Sequence, residues 1–368
     1  MPHRESLSIH TFGRLLLALT TVIIIQISFT AHAQQRARSF KFNYNMTVKE
    51  IPAGAKKLEL WLPIPHNDPY QQVTRLEIKS PYPYEIRRGQ YGNLFLYLSI
   101  DEPPAAGFTV AMDFDALRKE HIQAGLRMVN VANAPVEPLD PDMGRWLAPD
   151  RLVPLDDKIR QWAQEVVDAA GARTDLEKAR AIYNHIIATV KYDKTGTGWG
   201  RGDIYYACDA RRGNCTDFHA IFIGYSRAVG IPARFAIGFP LPTERGEGEI
   251  KGYHCWAEFY VKGIGWVPVD ASEAAKDPSK REYFFGAHDE NRIEFTRGRD
   301  LVLMPKQQGD ALNYFIYPYV EVDGKPFAAV EKSFAYHDLP VQQVAEEADA
   351  AKQEAVCCMI QMKGKKLP

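Results

Sequence analysis

A chain of 368 residues is long enough for about two domains, each with its own core. Its 45 basic and 46 acidic side chains leave a formal charge of -1, which excludes a bulk electrostatic attraction to nucleic acid or to an anionic membrane. Protein, peptide and small-molecule substrates are left, and no cofactor is implied.

The amino terminus carries Arg4 and Arg14, an apolar run from Leu15 to Thr30, and Ala31-His32-Ala33 before Gln34. Basic region, short apolar stretch and A-x-A site in that order predict a secretory signal peptide over 1–33. As a membrane anchor the run falls short of the roughly 20 residues that span a bilayer. The mature protein is therefore expected to be exported, periplasmic or extracellular, with no integral membrane segment.

From Ser39 to Met46 and from Lys57 to Leu62 apolar and polar residues alternate, and clusters of Pro, Gly and Asn separate the runs. With further strands expected at 72–79, 94–100 and 108–114, residues 36–116 read as a small β-sandwich. The proline-rich, weakly periodic segment 117–154 reads as a linker. Two helices follow. In the first, Leu155, Ile159, Trp162, Val166 and Val167 recur at helical spacing, with Asp156 and Asp157 at its start and Gly171 at its stop. Thr174-Asp-Leu-Glu177 opens the second as a capping box, with Ile182, Tyr183 and Ile186 on one face. The glycine-rich stretch 192–214 reads as a loop, whose Trp199, Tyr205 and Tyr206 either line a substrate cleft or pin the loop down. The tail, 337–368, is expected to be weakly ordered, with Cys357 and Cys358 as surface thiols.

The chemistry concentrates between Arg211 and Asp270. From Cys215 the apolar residues Phe218, Ile221, Phe222, Tyr225 and Val229 recur at helical spacing, so a helix begins at the cysteine. Asn214 suits its N-cap and Asp217 the return bond of a capping box. A thiol in the first turn faces unpaired N–H groups and the positive end of the helix dipole, which lower its pKa from about 8.5. His254, Trp256 and Glu258 then share one face of a strand, and a turn at Lys262-Gly-Ile-Gly265 returns the chain as a second strand ending at Asp270. Asp270 beside His254 fixes the imidazole tautomer, and the other ring nitrogen serves the thiol. His219, one turn after Cys215, either polarises the thiolate or is structural. Glu258 is either an auxiliary of His254 or a rim charge. An odd cysteine count leaves at least one thiol free, assigned to Cys215, while Cys208 and Cys255 form a disulfide or are two buried thiols. No metal site is expected, because no C-x-x-C or paired-His spacing occurs.

GNCTDFHAIFIGYSRAVGIPARF followed by GYHCWAEFYVKGIGWVPVD resembles the core of the transglutaminase-like superfamily, closely over Leu155–Asp270 and more loosely to about Val322. The resemblance implies an α+β, papain-like cysteine enzyme core over 155–336, preceded by the β-sandwich. It makes Cys215 the nucleophile, His254 the general base and acid, and Asp270 the orienting carboxylate. The backbone N–H of Cys215 would serve an oxyanion site, with a second donor from upstream, for which Trp199, Tyr205 and Tyr206 are candidates. The activity expected is that of an exported thiol enzyme handling amides of a protein or peptide through an acyl-enzyme, a peptidase or amidase rather than a cross-linking transglutaminase. The alternatives are a protein-glutamine transglutaminase or deamidase, and a non-catalytic binding protein that keeps the fold.

Overall fold

The alternation from Phe40 to Val48 becomes a strand with one buried face: Phe40, Phe42, Tyr44, Met46 and Val48 are buried, and the residues between them are not. This is β1 (Ala37–Val48) of a computed structural model that describes residues 35–123, 126, 142–346 and 348–349. The signal-peptide segment 1–33, residues 124–125 and 127–141 of the expected linker, and Cys357 and Cys358 lie outside the described residues.

After β1 come β2 (Lys57–Ile64), β3 (Gln71–Lys79), β4 (Glu85–Arg88), β5 (Leu94–Asp101), β6 (Phe108–Lys119) and β7 (His121–Ile122). Helices α1 (Asp157–Ala169) and α2 (Asp175–Thr189) then lead through β8 (Lys191–Tyr192) to α3 (Ile204–Ala210), β9 (Arg212–Gly213) and α4 (Cys215–Ala228). The next run is β10 (Ala233–Pro240), β11 (Glu247–Glu249), β12 (His254–Val261), β13 (Gly265–Val269) and α5 (Ala271–Lys276). Five strands follow: β14 (Ala287–His288), β15 (Arg292–Arg297), β16 (Tyr319–Val322), β17 (Lys325–Pro326) and β18 (Val330–Leu339), with helical residues at 341–346 after them.

The amino-terminal strands form two antiparallel five-stranded sheets, ordered β11-β18-β1-β6-β3 and β17-β16-β2-β5-β4. They are not built from residues 36–116 alone. Strand β18 pairs with β1 along ten positions, from Ser39↔Leu339 to Val48↔Val330, and β16 pairs with β2. Without β18 the long strand β1 would present an unpaired edge. The segment assigned from sequence to the catalytic core and the tail thus returns to the first sheets, and strand structure continues to Leu339 rather than stopping at residue 336. The expected linker begins inside β6, and its His121 pairs with His288.

A separate four-stranded sheet, β13-β12-β10-β15, carries the helices. Helix α4 packs on β12 and is surrounded by α1, α2 and α3. Every residue from Cys215 to Arg227 is buried, as expected of a helix enclosed on all sides. The described residues from Arg36 on form one compact unit, and one hydrophobic cluster runs from Phe40 through Phe222 to Phe285. Aromatic contacts join the sheets, with Phe42 5.3 Å and Tyr44 6.0 Å from Phe239 on β10.

The β10–β15 pairing shifts register between Ile237 and Gly238, and the backbones close in on the glycine. A Cβ there would stand 1.7 Å from the carbonyl oxygen of Ile293. Gly238→Ala is therefore expected to cost about 3 kcal/mol, the upper end of ordinary overpacking, read as a lower urea midpoint with unchanged slope. An unaltered midpoint would mean that the bulge accommodates the methyl group.

Candidate active site

Helix α4 begins as its sequence demands. Asn214 Oδ1 accepts the Thr216 N–H at 2.9 Å, and Asp217 Oδ2 accepts the Asn214 N–H at 2.9 Å, closing a capping box. Asp217 also accepts the N–H groups of Gly200 at 2.7 Å and Gly202 at 3.0 Å, so one carboxylate ties the glycine-rich loop to the helix start. Gly213 leaves room for it: a Cβ there would stand 2.2 Å from Asp217 Oδ2. Tyr253 seals the same corner, with its hydroxyl 3.1 Å from Asn214 Nδ2 and 3.0 Å from Thr216 Oγ1.

Cys215 is the first residue of α4 and only 2% exposed. Burial works against a charge on its sulfur, but hydrogen bonds from Cys255 and His254, together with the positive charge of His254, hold the thiol well below its ordinary pKa. His254 opens β12, and its Nε2 lies 2.7 Å from Asp270 Oδ2, leaving the other ring nitrogen for the sulfur. Burial lowers the His254 pKa, yet the Asp270 charge and hydrogen bond and the contact with Cys215 push it up to about 10.

Asp270 is fully buried where β13 turns into α5, and it is the N-cap of that helix. Its Oδ1 accepts the Glu273 N–H at 3.0 Å and the Ser272 hydroxyl at 2.9 Å, and its Oδ2 accepts Arg292 Nη1 at 3.1 Å as well as His254. Burial favours protonation, but the His254 charge and hydrogen bond and the Arg292 charge hold the carboxyl well below the usual carboxylate range. Arg292 is itself buried, also meets Asp289 at 3.3 Å and lies over the Trp256 ring.

The other residues singled out in the sequence take different positions. His219 Nε2 is 3.7 Å from Asp270 Oδ1 and its Nδ1 is 3.9 Å from Cys255, so it packs behind the carboxylate. Burial, first of all, lowers its pKa. Glu258 keeps the face of His254 but sits four residues further along β12, about 13 Å at strand rise. There it pairs with Arg234, with His121 at 3.8 Å, and it is buried rather than at the rim. It is therefore not an auxiliary of the thiol site.

The stretch 192–214 is not all loop, because Asp203 caps α3 by accepting the N–H groups of Tyr205 and Tyr206. Tyr205 consequently points to α1, bonding Asp156 and lying 6.1 Å from the Trp162 ring. Tyr206 lies against Gly198, and Trp199 Nε1 donates to Gly196 O at 3.1 Å. These are the contacts of residues that pin the loop.

Of the two alternatives for Cys208 and Cys255, the structure has the free thiols and not the bridge, with Cys255 buried and Cys208 half-buried. Cys208 lies 3.4 Å from the Tyr225 hydroxyl, whereas Cys255 lies 3.7 Å from Thr216 Oγ1. Those two partners are nine residues apart on α4, about 13 Å along the helix, so the sulfurs meet different ends of it.

Sequence reasoning missed Arg292, Tyr253 and the contact between Cys255 and Cys215. Tyr253 is next to His254 and had a signal in that position, but Arg292 lies 22 residues past Asp270 with none. A cavity of about 510 Å³ between the helices is lined by Trp162, Glu165, His185, Cys208, Arg211 and Tyr225 and includes none of Cys215, His254 and Asp270. Among the described residues His66, Asp68 and Glu294 lie close enough to share a cation, but Arg297 already lies between the two carboxylates.

A Cys-led central helix packed on an antiparallel sheet whose adjacent strands bring a His and an Asp together is the α+β arrangement expected for this core. Residues 160–271 match the family model of the transglutaminase-like superfamily. A Haemophilus influenzae protein described as uncharacterised is 27% identical over 324 residues, covering 78% of this chain and 87% of its own. The structure of a Cytophaga hutchinsonii protein described as a candidate cysteine protease aligns with a TM-score of 0.56 at 18% identity, over 83% of this chain and 92% of that one, and shows the shared fold. The periplasmic domain of TgpA from Pseudomonas aeruginosa aligns with a TM-score of 0.33 at 16% identity, over 69% of this chain and 87% of that one. Among the described residues no helix is long and apolar enough to cross a membrane.

Proposed function

We propose that the protein is an exported cysteine hydrolase that cleaves amide bonds in a protein or peptide through an acyl-enzyme. The observation that carries this reading is the buried relay in which Asp270 holds His254 at 2.7 Å and His254 bonds a thiol at the head of a helix. Thiolate Cys215 attacks the carbonyl carbon, and the oxyanion forms beside the N–H groups of the first turn of α4. Imidazolium His254 gives its proton to the departing amine, then takes one from the water that breaks the thioester. Asp270 stabilises the imidazolium throughout. The description of the Cytophaga hutchinsonii protein as a candidate cysteine protease favours water over an amine as acyl acceptor. Export rests on the order of charges and apolar residues over 1–33.

The test is incubation of the purified protein with a peptide library, with and without an added primary amine, read by mass spectrometry. Cleaved products are expected, insensitive to the amine. Cys215→Ala is expected to lose all turnover together with the site that iodoacetamide labels first. Turnover retained in that variant would overturn the mechanism, and amine-dependent adducts would turn the assignment to acyl transfer.

A further inference from the structure

Cys255 follows His254 on β12, so its side chain leaves the strand on the opposite face, toward the first turn of α4. Its sulfur lies 3.7 Å from Thr216 Oγ1 and 3.9 Å from His219 Nδ1, the residues one and four positions beyond Cys215. It therefore borders the turn that carries Cys215, and the two thiols influence each other's ionisation. Both thiols are free and buried, and Cys208, the other free thiol among the described residues, is occupied at the far end of α4 by Tyr225. Packing alone asks only for a small apolar side chain at position 255. A second thiol in contact with a thiolate brings chemistry as well.

We infer that Cys255 is the resolving thiol of an oxidative modification site, which converts a peroxide-oxidised Cys215 into a Cys215–Cys255 disulfide that a dithiol reopens. The inference rests on the reading of Cys215 as a thiolate nucleophile. In the first step the Cys215 thiolate attacks one oxygen of hydrogen peroxide, the O–O bond breaks, hydroxide leaves and a sulfenic acid forms. Sulfur gives up two electrons and the peroxide takes them. In the second step hydroxide removes the Cys255 proton as water, and the resulting thiolate attacks the sulfenic sulfur. The S–S bond forms, the S–O bond breaks and hydroxide leaves again. Cys255 already lies against the residues one and four positions beyond Cys215, and the bond forms when the two sulfurs close to about 2.05 Å.

The order of events follows from the surroundings of each sulfur. Burial first, then the contact with Cys215 and its charge, keeps the proton on Cys255, while His254 takes it from Cys215. Cys215 therefore meets the oxidant and Cys255 responds. The disulfide spares the nucleophile from sulfinic acid, which a dithiol does not reduce.

The experiment treats the reduced full-length protein with hydrogen peroxide and maps its cysteine peptides by mass spectrometry before and after dithiothreitol, alongside Cys255→Ala and Cys255→Ser. In the unsubstituted protein the expected product is a Cys215–Cys255 cross-linked peptide, lighter by two hydrogens. Dithiothreitol is expected to reverse it and restore iodoacetamide labelling of Cys215. In both variants Cys215 is expected to gain two oxygens irreversibly. Over-oxidation of Cys215 at the same rate with and without Cys255, or cross-links confined to other cysteines, would overturn the inference. Because the cross-link is read in the unsubstituted protein, a variant that misfolds does not remove the test. A reduced Cys215 that ignores iodoacetamide at neutral pH would take down the nucleophile reading as well, whereas a labelled Cys215 that never cross-links overturns this inference alone.

Discussion

Asp270→Asn is expected to lower turnover by about 1,000-fold, with the rate of thiol alkylation at neutral pH falling far less. Loss of the corresponding charge in a serine triad costs on the order of 10,000-fold. Here the sulfur is already favoured as thiolate by the helix start and by the Cys255 hydrogen bond, so part of the activation survives. What does not survive is the imidazolium. Asp270 supplies the charge and the hydrogen bond that, against burial, raise His254 to about 10. The alkaline limb of the pH–rate profile, which in the unsubstituted protein reports loss of the His254 proton near that value, will move toward neutrality in the variant. An alkaline limb that stays in place would show that Asp270 does not control His254.

The same substitution carries a stability signature with a defined sign. His254 is raised above its unfolded value of about 6.5, so its contribution is fully present below that pH and is lost as pH rises through about 10. Asp270 is depressed, so its contribution is present above about 3.9 and is lost as pH falls through its folded value. Both are complete between about pH 4 and 6.5, and there Asp270→Asn is expected to cost about 3 kcal/mol. Arg292, buried and deprived of one of its carboxylate partners, accounts for much of that loss. Urea titrations at acid and alkaline pH will show the difference between the proteins shrinking at both ends.

The parts of this site that were legible in the sequence are those set by neighbours along the chain. A capping box is a four-residue pattern, and Asn214 with Asp217 announced the start of α4 as surely as Thr174 with Glu177 announced α2. Period-two alternation placed His254 and the strand ending at Asp270 on a hairpin. Parts that depend on distant segments were not legible. The pairing of β1 with β18 joins residues about 300 positions apart, and no local pattern encodes it. Glu258 shows the limit of periodicity in another way, because alternation fixes the face of a strand and says nothing of how far along that face a side chain lies. Helix α3 was hidden by the glycines before it, since Asp203 is a cap signal only once Ile204–Ala210 is known to pack on α4. The cysteines followed the same rule: Cys208 and Cys255 flank Cys215 in sequence, but a buried helix stands between their sulfurs.

Asp217→Asn is expected to destabilise the protein by about 3 kcal/mol while making Cys215 more acidic. The carboxylate takes three backbone N–H groups, with Gly200 and Asn214 on Oδ2 and Gly202 on Oδ1. An asparagine has one acceptor oxygen, so even its better rotamer turns an NH₂ group toward Gly202 and leaves a buried N–H without a partner, at about 1–3 kcal/mol. Loss of the negative charge at the head of α4 adds up to about 1 kcal/mol more. The effect on the thiol has the opposite sense. Burial, then the charge on Cys215, disfavours ionisation of Asp217, and the repulsion is mutual, so the amide relieves the thiolate of a like charge. Two readouts therefore separate: the pH midpoint of iodoacetamide labelling moves down, while the loop at 196–202, released from α4, becomes open to proteolysis and turnover falls. A labelling midpoint that rises instead would mean that Asn214 and the loop, rather than the Asp217 charge, govern the sulfur.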